Sequence, residues 1–376
     1  MTREHAQQIL HRHRDALNRH DVAALTSLYA EDAVLESPMF DVVRGRRAIG
    51  DSFERLFALF PDYSITMRDP LFICEGDRAA EFSSVTATQR GPLYGLPPTG
   101  QPIEYHAARL FTFRDGLIAY EQRIYDFGGV LDRLEKTRID RELATASAVQ
   151  QMLMARADLV GDFFEVAHAS LPCRAISGDF LEYHHEPGAR FGLALGDVSG
   201  KGPPAALVAA MLHGMLAMAT DEIETPGSLL GRLNVALRRR NIEDRYATLC
   251  YASLAPGRQL TYSNAGHPPP LLLSAGRIRP LTIGGPMLGV FEDATFPSDT
   301  LELAPGDSLI FYSDGVTDAL APDGRELGLD RLIAAIAAHA TARPTALVSG
   351  VLSVVRQFVG SAASVDDATI AVLKVR

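Results

Sequence analysis

The sequence predicts an α+β protein of two domains joined by a helical segment, and three observations carry that expectation. At 376 residues the chain is too long for one typical domain. Its first third places helical patterns ahead of alternating strands closed by hairpin turns. Its second half interleaves short apolar strands with helical stretches, and hairpins dominate the middle, which favours antiparallel sheets with flanking helices.

Residues 4–29 read as helical, because Ile9, Leu17, Val22, Leu25 and Leu28 recur at helical spacing, with Asp21 an N-cap for the second half. Strands are expected over 33–36, 64–67, 78–88, 103–113 and 117–127, with a helix over 46–60. Asp115-Gly116 between two β patterns marks a tight hairpin. The first domain is assigned to residues 1–127. Period-2 alternation puts Ile118, Tyr120, Ile124 and Asp126 on one face of the last strand, and His106, Ala108 and Leu110 on one face of its partner. His106, Tyr120 and Asp126 are thereby the candidate pocket residues. A hydrogen-bonded polar pair without a ligand is the alternative for His106 and Asp126.

Residues 128–167 turn helical and charged, and are assigned as a linker. Their apolar spacing is irregular between Glu135 and Glu142, so no clean heptad seam is present. A helix that pairs with its twin in a homodimer and a monomeric linker packed on its own neighbours both fit. Residues 168–376 form the second domain. Strands are expected there over 191–195, 246–254, 259–263, 270–273, 301–303, 308–312 and 368–375, and helices over 204–219, 227–239, 329–339 and 344–359.

Composition excludes several classes. Apolar residues at 47% and charged residues at 22% describe a globular protein. The net charge of −10 argues against nucleic acid as a partner, and the short run Arg238-Arg239-Arg240 ends a helical pattern, where cations complement the helix dipole. Cys74, Cys173 and Cys250 are too widely spaced for a disulfide framework or a zinc motif. No window reaches ~18 uncharged apolar residues and no apolar signal core opens the chain, so a cytoplasmic protein with no membrane segment is expected.

The candidate chemistry starts at Gly196-Asp197-Val198-Ser199-Gly200-Lys201-Gly202, which follows the apolar run 191–195 and precedes a helix opening at Pro203-Pro204. A short apolar run closed by glycines reads as a buried strand ending in a tight loop, and prolines suit a first helical turn. Asp179 lies ahead of another apolar stretch, Asp314 follows the strand Ser308–Tyr312, and Asp366-Asp367 open the last strand. Carboxylates at strand ends repel one another if the strands share one sheet end, and hard divalent cations relieve that repulsion. Singly, each aspartate is equally a turn former or cap. A phosphate-binding P-loop is excluded, because Gly202 stands where the hydroxyl residue after Lys201 is required.

In their order, several blocks resemble the PPM class of metal-dependent protein phosphatases, in its bacterial SpoIIE-like and RsbU-like branch. They are Arg141-Glu142-Leu143 with Val149-Gln150-Gln151, Ser177-Gly178-Asp179-Phe180, the Gly196 to Gly202 loop, Asn264-Ala265-Gly266-His267-Pro268, Ser313 to Asp318, and Asp366-Asp367-Ala368-Thr369. The resemblance implies a β-sandwich of antiparallel sheets flanked by helices. It implies a pair of Mn²⁺ or Mg²⁺ ions held by Asp179, Asp197, Asp314 and Asp366 with the carbonyl of Val198, and hydrolysis of phosphoserine or phosphothreonine on a partner protein. A STAS-type anti-sigma-factor antagonist is the substrate that such relatives suggest. Asp318 matches a more peripheral carboxylate. Lys201 fits contact with a substrate phosphate or support of the glycine loop, and His267 fits shaping of a loop. Family members commonly carry Gly-Gly-Asp where this chain has Ser177-Gly178-Asp179, and the segment between Leu171 and Ser177 is short.

Residues 4–127 are similar to the SnoaL-like cone fold, on His20-Asp21, the run Tyr29 to Asp32, and Arg114-Asp115-Gly116 with Asp126. That likeness implies an interior pocket for a small apolar ligand and a sensor role that regulates the phosphatase. Two rival functions are carried alongside: a binding-only pseudophosphatase, and a cone domain acting as an isomerase or cyclase of its own through Asp126 and His106.

Overall fold

At the Asp115-Gly116 turn both residues have positive φ, 51° and 77°, the type I′ geometry that matches the twist of the strands it joins. The computed structural model describes residues 1–154, 157–173, 176–185, 190–218, 225–240, 242, 245–362 and 366–376, with the backbone alone at 68–71 and 154. It divides into two units, Met1–Glu142 and Leu143–Arg376.

In the first unit, helices α1 (Arg3–Asn18), α2 (Val22–Thr26) and α3 (Arg46–Leu59) pack on a sheet of β1 (Tyr29–Ser37), β2 (Asp41–Arg44), β3 (Ser64–Glu75), β4 (Arg78–Thr88), β5 (Pro102–Arg114) and β6 (Leu117–Ile124). The strand order is β2-β1-β6-β5-β4-β3, with β1 and β6 parallel and the other pairs antiparallel. Asp21 caps α2 as expected, accepting from the Ala24 amide at 2.9 Å.

The interior face is not the one that alternation predicts. On β5 the buried residues are Ile103, Ala107, Arg109, Phe111 and Phe113, and on β6 they are Ile118 and Glu121. The β5–β6 register pairs Phe113 with Ile118 but Thr112 with Tyr120, so it skips Ala119 and the phase changes there. His106 is therefore exposed and bonded to Ser84 Oγ at 2.9 Å, and the Tyr120 hydroxyl donates to Glu36 at 2.7 Å. Asp126 is exposed and caps the next helix through the Gly129 amide at 2.8 Å. A buried ionic network fills the interior instead. Arg109 reaches Glu81 at 3.1 Å, Glu121 at 2.8 Å and His13 Nδ1 at 3.0 Å, and all four are buried. Arginine only donates, so His13 Nδ1 accepts and Nε2 carries the proton toward the Tyr29 hydroxyl, 2.8 Å away; that hydroxyl in turn donates to Glu121.

Helix α4 (Phe127–Met154) begins in the first unit, and its last turns belong to the second. The helical linker expected over 128–167 is shorter than that, since β7 (Leu159–Val160) and β8 (Phe164–Leu171) are strands of the second unit. Within the run Phe163 to Ala167, Phe163, Phe164, Val166 and Ala167 are buried, which a solvated linker helix would not allow. Three expectations reach residues outside those described: the linker at 155–156, the 204–219 helix at Ala219, and the short segment after Leu171 at 174–175.

The second unit continues with β9 (Phe180–His185), β10 (Phe191–Val198), α5 (Pro203–Met218), α6 (Pro226–Arg239), β11 (Ala247–Leu254), β12 (Gln259–Ala265), β13 (Leu271–Ser274), β14 (Arg277–Pro280), β15 (Asp299–Glu302), β16 (Ser308–Tyr312), α7 (Asp314–Thr317), α8 (Gly328–Ala338), α9 (Pro344–Val359) and β17 (Ala368–Val375). Two antiparallel sheets result, ordered β15-β12-β11-β10-β9 and β14-β13-β16-β17-β8-β7. Leu193, Leu195, Phe311 and Leu373 pack between them. Ala194 and Leu249 face α5 and α6 on one outer side, while Ile310 and Ile370 face α8 and α9 on the other. Both faces of β10 and β17 are thus covered, which is why these strands read as unbroken apolar runs.

Candidate metal centre

The four aspartates sit where strands end. Asp197 is the penultimate residue of β10 and Asp179 immediately precedes β9, next to it in the first sheet. Asp314 opens α7 two residues after β16, and Asp366 lies two residues before β17, the neighbour of β16 in the second sheet. The sheets meet at this end, where the Thr369 hydroxyl of β17 donates to Asp179 Oδ2 at 2.5 Å.

The carboxylates act on one another. Asp179 is buried, and burial followed by the charge of Asp197 pushes its carboxyl well above the ordinary range. Burial, then Asp314 and Asp366, push Asp197 up to about 7. Asp314 is raised by burial, then by Asp366 and Asp318. One cation offsets part of this charge: Lys201 Nζ lies 2.9 Å from Asp366 Oδ2. Among the described residues, no three of the four aspartates bring ligand atoms all within 4.8 Å of one another; the set that does is Cys173, Asp366 and Asp367.

Glycine keeps the centre open. A Cβ on Gly178 would stand 2.8 Å from Asp197 Oδ1 and 3.0 Å from the Val198 carbonyl oxygen. That places one carboxylate and one main-chain carbonyl side by side against a residue with no side chain. Both are hard oxygen donors, the type that Mg²⁺ and Mn²⁺ take.

Asp367, adjacent to Asp366 in sequence, has a different task. It is buried and accepts from the Cys173 amide at 2.7 Å, the Ser177 hydroxyl at 2.7 Å and the Gly178 amide at 3.2 Å. Ser177 Oγ in turn accepts from the Asp179 amide at 3.0 Å. This hydrogen-bonded loop sets where Asp179 stands. Gln150 of α4 joins it, bonding both the Ser177 carbonyl and the Ser177 amide. Sequence reasoning did not assign these roles to Gln150, Ser177, Asp367 or Thr369. The available signal was period-2 alternation, which turns neighbouring residues such as Asp366 and Asp367 to opposite sides. Lys201 pairs with Asp366. His267 is buried, bonded to Thr248 Oγ1 at 2.9 Å and bracketed by Asn264, and burial lowers its imidazole to about 3. It shapes a loop, as its setting in sequence suggests.

A family model described as "Stage II sporulation protein E (SpoIIE)" matches residues 187–376, half of the chain. The chain belongs to the SpoIIE family. A second model, "SnoaL-like domain", matches residues 10–121. Over 189 residues this SpoIIE-family chain is 28% identical to "Phosphoserine phosphatase RsbU" of Bacillus subtilis, covering 50% of this chain and 56% of the relative. It is 30% identical over 192 residues to "Phosphoserine phosphatase RsbP" of the same organism, covering 50% and 47%. The chain spans about half the length of the curated relatives it matches. Among solved structures, the RsbU and RsbW domains of a Mycobacterium tuberculosis protein superpose with a TM-score of 0.50 at 28% identity, covering 57% of this chain and 60% of that one. The SiaA-PP2C domain of Pseudomonas aeruginosa gives 0.56 at 18% identity over 64% and 98%, a likeness of fold.

Among the described residues, no helix is long and apolar enough to cross a membrane.

Proposed function

We propose that this chain is a protein serine/threonine phosphatase that removes phosphate from phosphoserine or phosphothreonine on a partner protein. The observation that carries this reading is that Asp179, Asp197, Asp314 and Asp366 all stand at strand ends where the two sheets meet, in a chain of the SpoIIE family. Relatives named phosphoserine phosphatases support the substrate type. A STAS-type anti-sigma-factor antagonist is the proposed partner.

The four aspartates and the Val198 carbonyl would hold two Mn²⁺ or Mg²⁺ ions. When bound, such a pair supplies an acidified water and neutralises charge on the phosphoryl group. The chain's own residues do the positioning. Thr369 and the Ser177–Asp367 bond fix the Asp179 carboxylate and its backbone. Gly178 leaves room beside Asp197, and Lys201 holds Asp366 toward the glycine loop. The test is phosphate release from a phosphoserine protein with and without Mn²⁺, repeated on Asp197→Ala and Asp314→Ala. Metal-dependent release lost in both folded variants supports the reading, and metal-independent or absent release by the parent protein sinks it in favour of a binding-only domain.

Regulation by the SnoaL-like domain is the second part of the proposal. Helix α4 starts in the unit that contains that domain, and in its last turns Gln150 bonds the loop beside Asp179. A small apolar ligand in the first unit, or pairing of α4 with its twin in a homodimer, would act through that grip. Deleting residues 1–127 should alter rate or metal dependence; identical values under every ligand tried would end the regulatory idea. Interior catalysis by His106 and Asp126 loses its basis, since neither faces the interior of the cone.

A further inference from the structure

A pocket of about 250 Å³ opens beside the metal centre. Asp366 and Gly315, the residue after Asp314, form the wall that it shares with the centre. Leu171, Leu320, Val355, Val359 and Ala362 contribute apolar side chains from β8, α9 and the loops beside them, and polar groups make up about half of the exposed wall. Gly315 packs directly on the main chain of Asp366 and Asp367, where an added Cβ would stand 2.1 Å from the Asp367 carbonyl oxygen. Arg356, exposed in the last turn of α9, lines the same pocket, and among the described residues no carboxylate forms an ion pair with it.

We infer that this pocket is a specificity site for the polypeptide substrate: it takes one apolar side chain, of leucine or methionine size, from within three positions of the phosphorylated residue. Arg356 faces an acidic group next to that side chain. The inference rests on the phosphatase reading and deepens it. A phosphoryl group reaching Asp366 brings its flanking chain past Gly315, and an apolar side chain there leaves water for the side chains of Leu171, Val355 and Val359. A small phosphoester has nothing to place in the pocket. Its turnover therefore does not depend on it.

The test uses the full chain with Mn²⁺ and a set of phosphoserine peptides carrying leucine or asparagine at each of three positions on either side. A second set exchanges aspartate for lysine, and p-nitrophenyl phosphate serves as the substrate without flanks. Leucine at one position should raise kcat/KM roughly tenfold, through KM, the scale on which apolar pockets discriminate. Ala362→Trp should abolish that preference, and Arg356→Glu should reverse the preference for aspartate over lysine, with p-nitrophenyl phosphate turnover unchanged in both. No leucine preference at any position, or the same preference in Ala362→Trp, overturns the pocket assignment while the phosphatase reading stands. Absence of turnover on both substrate types overturns the phosphatase reading itself.

Discussion

Gln150 grips Ser177 with both ends of its amide: Nε2 donates to the Ser177 carbonyl at 2.8 Å, and Oε1 accepts from the Ser177 amide at 3.0 Å. Two residues further on stands Asp179, whose own amide is bonded to Ser177 Oγ. A side chain on α4 therefore mimics a strand partner for the loop that carries a candidate metal ligand. Outer groups that orient ligands typically contribute 10–100-fold in metal affinity. Gln150→Leu should raise the Mn²⁺ concentration for half-maximal p-nitrophenyl phosphate hydrolysis about tenfold, with little change in the rate at saturating metal. An unaltered Mn²⁺ titration would show that the grip is not coupled to the centre.

Asp197 should weaken the metal-free fold and strengthen the loaded one. Its carboxyl is pushed up to about 7, above the ordinary range, so the folded state binds its proton more tightly than the unfolded state. That disfavours folding as pH rises from the unfolded value near 4 through 7. At pH 8 without metal, Asp197→Asn should melt at a higher temperature than the parent protein. Adding Mn²⁺ at about 100 times its dissociation constant should raise the parent Tm by roughly 5–10 °C. The variant should show little of that rise and lose activity about 100-fold or more. Calorimetry with and without Mn²⁺ reads both effects.

Gly178→Ala isolates the space beside Asp197. Its added carbon would stand 2.8 Å from Asp197 Oδ1 and 3.0 Å from the Val198 carbonyl oxygen, so both candidate ligands must move. Gly178 does not have a positive φ, so the substitution imposes no left-handed strain. Metal affinity should fall about tenfold or more, with a Tm close to that of the parent protein. Equal Mn²⁺ affinity in the two proteins would show that neither oxygen is a ligand.

Legibility from sequence followed chemistry that leaves a pattern. Strands buried on both faces, such as β10, β16 and β17, read as apolar runs, and the aspartates stood out because charge interrupts those runs at their ends. The Asp115-Gly116 hairpin was legible because its two positive-φ positions restrict residue choice. The inner face of the cone was not. Arg109, Glu81 and Glu121 are buried charges, and a charge in an alternating strand reads as solvent-facing unless its partners are known. The skip at Ala119 then reversed the phase on β6. The role of Gln150, though not its place in a motif block, was hidden for another reason: it lies on a charged helix, and its partner is backbone, which carries no side-chain signature.

Acid should unfold both units through buried histidines. His267 is lowered to about 3 by burial, and His13 well below its ordinary value by burial and then by Arg109. In each case the unfolded state binds the proton more tightly, so stability is intact above pH ~6.5 and falls as the pH drops toward the folded value. For His267 the loss at pH 5 is about 2 kcal/mol. Relative to the parent protein, a variant with a neutral residue at position 267 should gain about 2 kcal/mol in the second unit between pH 7 and 5, since the raised carboxyl of Asp197 acts equally in both. A His267 variant that changed in stability between pH 7 and 5 by as much as the parent protein would contradict the His267 assignment, because the opposite shift of Asp197 is common to both.

Arg109 gives the sharpest test of the network in the cone. It is buried between Glu81 and Glu121, whose carboxylates are both fully shielded from solvent. Glu121 is held well below the usual carboxylate range, against its burial, by Arg123 and then Arg109. Arg109→Ala would leave two buried acids short of a counter-charge, and breaking such a pair costs about 3–5 kcal/mol. Replacing Arg109, Glu81 and Glu121 together by apolar residues of similar volume should not recover that loss, because Arg123 and Arg14 would then lose Glu121 and Glu81, their own partners. Urea unfolding of the three proteins, with β-sheet circular dichroism as readout, makes the comparison. If the single variant were as stable as the parent, Arg109 would not be neutralising these acids. If the triple variant regained the stability of the parent, Arg123 and Arg14 would not depend on these two acids.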